Sequence, residues 1–166
     1  MSNLPAVAST ERGDVSSMVQ LVSFELEQEE YGVDVLAVRE IIRLPAITKM
    51  PNTPHYVDGI INLRGTVVPI ISLRRRFGLP DVDMDRRSRI LVMDAKGTLT
   101  GFVVDAVAEV LRVSTADIQP PPVITQGNAA QECISGVVNH GERLLIVLDL
   151  NRLFNDDEKQ ALDMLG

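Results

Sequence analysis

The sequence predicts an all-β chain built as two similar small barrels, and three observations carry that prediction. Of 166 residues, 21 are Val and 12 are Ile, side chains that are stiff at χ1 and fit a pleated, half-buried surface. Aromatic residues are few, four Phe and two Tyr with no Trp, so the core is built of branched aliphatics. The chain also repeats itself. Displaced by 69 positions, residues 31–44 lie over 100–113, and Gly32, Val35, Ala37, Val38, Glu40 and Arg43 meet Gly101, Val104, Ala106, Val107, Glu109 and Arg112. Displaced by 77, residues 57–77 lie over 134–154, and Gly59, Asn62, Leu73, Arg75 and Phe77 meet Gly136, Asn139, Leu150, Arg152 and Phe154. Gly, Asn, Glu and Arg recurring in one order mark a duplication. Closing each copy as a barrel would remove most open strand edges.

The elements follow in order. Residues 1–17 are small and polar without periodicity and read as a flexible tail. From Met18 an approximate apolar–polar alternation marks a strand, Gln28–Glu30 a turn, and Tyr31–Val35 a second strand. Val38, Ile41, Ile42 and Leu44 fall at helical spacing, which predicts a short helix ended by Pro45. Ile47–Met50 reads as a short strand before a loop with Pro51 and Pro54. Val57–Leu63 and Thr66–Leu73 are strands joined at Arg64-Gly65, and Leu73–Phe77 is a helical turn closed by Gly78. Pro80–Arg87 is a polar connector between halves. Ile90–Ala95, Thr98–Asp105 and Glu109–Val113 read as strands, with a tight turn at Lys96-Gly97. A loop over 114–131 contains Pro120–Pro122. Ile134–Asn139 and Arg143–Asp149 form a hairpin. A C-terminal helix over 155–166 carries a capping box at Asn155 and Glu158 and an apolar face of Ala161, Leu162 and Leu165. The two barrel subdomains cover about 18–80 and 85–150 within a single 18–154 unit.

Several functions are argued against. A net charge of −7 is opposite in sign to a nucleic-acid footprint, and six aromatics make a poor stacking platform. An OB-type nucleic-acid module is therefore a distant alternative. A single cysteine, Cys133, forbids an intrachain disulfide and a cysteine metal cluster. No apolar run is long enough to cross a bilayer, and residues 1–14 lack the features of a signal peptide. Asp81, Asp83 and Asp85 open like a calcium loop, but Arg86 and Val92 stand where Gly and Glu are needed. His55 and His140 lie in turns without a partner at ligand spacing. No cofactor, metal or enzymatic activity is expected.

Two features point toward binding. Arg74, Arg75 and Arg76 form a basic run, read either as a solvated face paired with the acidic surface or as a contact for an acidic partner. Asn62-Leu63-Arg64-Gly65 places a permanently charged donor fork at a hairpin tip. Glu40, three residues before Arg43, can meet Arg64 across the barrel junction, as a structural ion pair or as part of a partner site.

Several strings then coincide with one family. They are Glu30-Tyr31-Gly32-Val33-Asp34, Val38-Arg39-Glu40-Ile41, Asn52-Thr53-Pro54, the run from Gly59 to Ile70, Gly101-Phe102-Val103-Val104-Asp105 and Ile118-Gln119-Pro120. Over residues 18–165 the chain resembles the CheW family of bacterial chemotaxis coupling proteins. The resemblance implies two five-stranded SH3-like or OB-like barrels with strand exchange. It implies a non-enzymatic adaptor, monomeric alone and stand-alone in this chain, that ties cytoplasmic chemoreceptor tips to the regulatory domain of a CheA-type histidine kinase. Such a protein is cytoplasmic and recruited to membrane-bound receptor arrays, without inserting into the membrane or binding nucleic acid. It serves flagellar chemotaxis or, alternatively, a non-flagellar pathway such as twitching motility. By resemblance, Val38, Glu40, Gly59, Asn62, Arg64 and Val110 would bind the receptor near the groove between barrels. Ile47, Thr48 and Met50 would face the kinase. Ile124 would sit on the ring-closing array contact, where relatives carry an aromatic. Arg89 replaces an apolar residue expected near the receptor groove.

Overall fold

The computed structural model describes residues 17–95, 97–121 and 132–165. Among them, ten strands form two five-stranded sheets. Barrel I contains β1 (Met18–Leu26), β2 (Glu29–Asp34), β8 (Ala106–Ser114), β9 (Ile134–His140) and β10 (Arg143–Leu148), in the order β8-β1-β2-β10-β9. Barrel II contains β3 (Val38–Arg43), β4 (Val57–Leu63), β5 (Thr66–Ser72), β6 (Arg89–Ala95) and β7 (Thr98–Val104), in the order β3-β6-β7-β5-β4. Mapping β1–β5 onto β6–β10 turns one order into the other. Each barrel thus takes two strands from one copy of the repeat and three from the other. The chain changes barrel at two links, a 3-10 turn at Val35–Ala37 and Asp105 between β7 and β8. Within each barrel the two contributions meet in one parallel pairing, β2 with β10 and β5 with β7, and one antiparallel pairing, β1 with β8 and β3 with β6.

The open side of each sheet is bridged in the same way. Thr48 and Ile60 exchange both backbone hydrogen bonds at 2.9 Å, and Gln119 and Val137 do so at 2.8 and 2.9 Å. This close approach explains the repeated Gly59 and Gly136. A Cβ on Gly59 would lie 2.2 Å from the Thr48 carbonyl oxygen, and one on Gly136 would lie 2.4 Å from Ile118 Cγ2 and 2.9 Å from the Gln119 oxygen.

The largest core lies between the barrels. Val22, Phe24 and Leu148 of barrel I meet Leu91, Met93 and Phe102 of barrel II. Each fully buried aliphatic of this kind contributes roughly 1.5–3 kcal/mol. Two smaller cores fill the barrels, around Ile70, Ile90 and Val92 in II and around Leu21, Leu145 and Val147 in I. Among the described residues two α-helices accompany the sheets. Helix α1 (Leu73–Arg76) is capped by Ser72, and α2 (Asp156–Asp163) carries the expected capping box of Asn155 and Glu158.

The segment expected as a helix over 38–44 is the strand β3. Its burial alternates along Val38–Arg43, and it pairs with β6. Val38, Ile41 and Ile42 fit both periods over so short a run; hydrogen bonds offered by β6, 50 residues away, decide for the strand. Ile47–Met50 forms only the single bridge at Thr48. The first turn is Glu27-Gln28, both at positive φ, one position earlier than expected. The basic run is paired with the chain's own carboxylates, as one reading had it, but only Arg75 keeps much exposure. Arg74 is buried and binds Asp105, Glu27 and the Pro80 carbonyl; Arg75 binds Asp58 and Asp81. Arg76 binds Glu158 and stacks over Tyr56 and Phe154.

Candidate functional site

Arg64 and Gly65 form the two-residue loop between β4 and β5, where Leu63 pairs with Thr66. Both have positive φ, 50° and 89°, which matches the twist of the flanking strands. Asn62 accepts the Gly65 amide at 2.8 Å and holds the loop closed. The repeat places Gly141 opposite Arg64, at the first position of the β9–β10 loop, with φ 66°. At that point barrel I uses the residue that adopts positive φ without steric penalty. Barrel II keeps an arginine there and bears the strain. The side chain is therefore the feature retained.

The Arg64 guanidinium grips Glu40 through two parallel hydrogen bonds, at 2.5 and 3.0 Å. Glu40 projects from β3, so the pair spans the two edge strands of barrel II and does not cross the junction between barrels. The hydrogen bonds hold the Glu40 carboxyl below its usual range and raise the Arg64 guanidinium. The Arg64 side chain remains 71% exposed; its free donors and its flat face are open to a partner.

Five of the six residues singled out by resemblance lie on barrel II. Val38 and Glu40 are on β3, Gly59 and Asn62 on β4, and Arg64 is at the hairpin tip. Gly59 presents no side chain and seats the Thr48 bridge. Val110 lies on β8 of barrel I, 53% exposed. Ile47, Thr48 and Met50 also belong to barrel II: Thr48 is exposed in the closing bridge, Ile47 packs on the barrel core, and Met50 is half-buried. Ile124 lies outside the described residues.

An apolar depression of 480 Å³ opens between the barrels, lined by Leu21, Val33 and Val147 on one side and Met93 and Ala95 on the other. None of the six residues lines it. Leu36, 87% exposed on the linking turn, forms its lip. Leu36 and the exposed Ile41 of β3 escape the sequence reading because Leu36 falls between the expected second strand and the expected helix, and Ile41 is placed on the helix face. The repeat held the missing signal, since β8, the counterpart of β3, reads plainly as a strand.

Other candidates resolve structurally. Cys133 is buried, and burial pushes its thiol up to about 12, which makes it a core side chain and no nucleophile. His140 Nδ1 lies 2.9 Å from the buried Glu30 carboxylate. Among the described residues no cluster of metal-ligating side chains occurs, and no helix is long and apolar enough to cross a membrane.

The CheW-like domain profile matches residues 20–158. The chain belongs to the CheW-like family. It is 39% identical over 147 residues to the chemotaxis protein CheW of Treponema pallidum, covering 86% of each chain. It is 36% identical over 144 residues to that of Klebsiella aerogenes, covering 87% of this chain and 86% of the relative. The crystal structure of the scaffolding protein TtCheW from Thermoanaerobacter tengcongensis superposes with a TM-score of 0.76 at 36% identity, over 84% of this chain and 90% of that one. As a member of this family the chain is a chemotaxis adaptor and not an enzyme, and its double-barrel fold is shared with the TtCheW structure.

Proposed function

We propose that this adaptor couples the cytoplasmic tips of chemoreceptors to a CheA-type histidine kinase, so that receptor state changes kinase autophosphorylation. It acts in the cytoplasm, as a monomer recruited to receptor arrays. The receptor-facing residues are Val38, Glu40, Gly59, Asn62, Arg64 and Val110; Ile47, Thr48 and Met50 face the kinase, and Ile124 belongs to a further array contact. The observation that carries the reading is Arg64, held by Glu40 in a strained backbone position where the other barrel uses glycine. A strained, exposed, charged residue fixed by a partner marks a functional position. Coupling further requires that the adaptor bind the two receptor states unequally.

The test is a reconstituted mixture of receptor fragment, kinase and adaptor. Arg64→Ala is expected to reduce receptor-dependent kinase activation about tenfold, with kinase binding and the circular dichroism spectrum unchanged. Loss of kinase binding with intact receptor coupling would reverse the site assignment, and failure of the wild-type chain to bind any such kinase would remove the function.

A further inference from the structure

The chain carries a net charge of −7, yet one face of barrel II ends in two opposed arginines. Arg43 of β3 and Arg89 of β6 are cross-strand partners. Residues directly opposite on neighbouring strands project from the same face, and like charges there are destabilising. Among the described residues no carboxylate lies within ion-pair distance of either guanidinium, whereas Arg39 is paired with Asp94 at 3.1 Å, Arg87 with Glu25 at 2.9 Å and Arg76 with Glu158 at 2.8 Å. Arg89 donates Nη1 to the Arg86 and Ser88 carbonyls at 2.7 and 2.8 Å. Those bonds orient the group without neutralising it.

The fold does not impose this repulsion. At the equivalent place in barrel I, Arg112 stands opposite the neutral Gln20. Along β3, Ile41 projects from the same face as Arg43 and is 41% exposed; its cross-strand partner Leu91 enters the inter-barrel core. Two uncompensated guanidiniums therefore sit beside an exposed apolar side chain.

We propose that Arg43 and Arg89 clamp a carboxylate of a protein partner, an acidic amphipathic helix whose apolar side packs on Ile41. Resting on the coupling function above, that helix belongs to the chemoreceptor tip. Guanidinium forks match the planar geometry of carboxylates and bind them bidentately. A long polyanion fits poorly, because two cations on an acidic protein give little counterion release and much repulsion. The opposed pair has a thermodynamic signature: its removal should weaken binding without weakening the fold.

The test uses the full chain and its R43Q, R89Q and R43Q/R89Q variants. Calorimetry measures binding to the helical-hairpin cytoplasmic fragment of a chemoreceptor at low and high salt. The double variant is expected to bind about tenfold more weakly and with a smaller salt dependence. Its binding to the kinase regulatory domain is unchanged, and its melting temperature is equal to or above that of the wild-type chain. Receptor binding equal to that of the wild type would overturn the clamp alone, as would a lowered melting temperature, which would make the pair structural. Arginine-dependent binding to vesicles rich in anionic lipid or to a single-stranded RNA would also overturn it, in favour of that partner. If the wild-type chain does not bind the receptor fragment, both the clamp and the coupling function fall.

Discussion

The two barrels share strand order, closing bridge and repeated glycines, and they differ where the chain does something beyond folding. In barrel II the edges are held by Glu40 and Arg64, both charged throughout the physiological range. In barrel I the hairpin corner is held by His140, which contacts the buried Glu30 at 2.9 Å and reaches Glu109, the counterpart of Glu40, at 4.0 Å. The repeat sets Leu63 and Leu99 of barrel II, both packed on its core, against His140 and Glu30 of barrel I. The helical segments differ too. Arg74 on α1 reaches Glu27 and Asp105 at 2.6–2.8 Å and ties barrel II to the first hairpin of barrel I. Its counterpart is Asn151. The shared features are backbone features: bridges, positive φ and close approach. The divergent ones are charged side chains. Duplication preserves what closes a barrel and frees the exposed and inter-barrel positions to differ.

The largest expected effect comes from cutting the one-sided tie. Arg74→Met leaves Asp105 and Glu27 without their cation in a partly buried place. It should destabilise the chain by about 3–5 kcal/mol, read by urea unfolding. The Asp105 carboxyl is pushed up by burial, but Arg74 and the Glu27 amide outweigh that and hold it below its ordinary value. Its folded-state affinity for protons is thus reduced, so its stabilisation is present above the ordinary carboxylate range and is lost as pH falls through the depressed value. Acid unfolding should show this loss in the wild-type chain and a shallower slope in Arg74→Met. An unchanged slope would mean that the tie carries no linkage.

Glycine substitutions probe what the barrels share. Gly59→Ala meets the Thr48 backbone oxygen at 2.2 Å and sits at φ 148°, whereas Gly136→Ala first meets Ile118 Cγ2 at 2.4 Å, with the Gln119 backbone oxygen farther off at 2.9 Å and no positive φ. The first should cost about 3 kcal/mol or more and the second about 2, both by thermal or urea unfolding. The reverse order would show that the bridge in barrel I is the more rigid one. The smallest effect concerns the corner of barrel I. His140→Leu alone strands the buried Glu30 and should cost about 2 kcal/mol. Glu30→Leu with His140→Leu gives the corner the two leucines that barrel II carries at the equivalent positions, both packed on its core, and should come within about 1 kcal/mol of wild type. If the double variant is no better than the single one, the corners are not interchangeable.

The hairpins, the duplication and the capping box of Asn155 are readable from local pattern: each depends on residues close in sequence, on approximate alternation, or on identities repeated at a fixed displacement. The Glu40–Arg64 contact joins residues 24 apart, and its expected place across the barrel junction gives way to one within barrel II. The helix expected over Val38–Leu44 is a strand over Val38–Arg43, because six residues do not separate a period of 2 from one of 3.6. The burial of Arg74 and the opposition of Arg43 to Arg89 left no local trace, since an arginine looks the same in sequence whether it faces water, a carboxylate or another arginine.

What the sequence determines by itself is therefore the kind of unit: Val- and Ile-rich strands, two copies, a turn at Arg64-Gly65 and a second hairpin between Asn139 and Arg143, and a capped terminal helix. Tertiary structure alone decided which copy supplies which strand. The copies are alike, so β3 would satisfy the same alternation beside a strand of its own copy as it does beside β6. The three-residue link at Val35–Ala37 carries β3 into the second sheet. The faces that result bring Ile41 next to Arg43 and Arg89, and they leave Arg64 exposed on one barrel only.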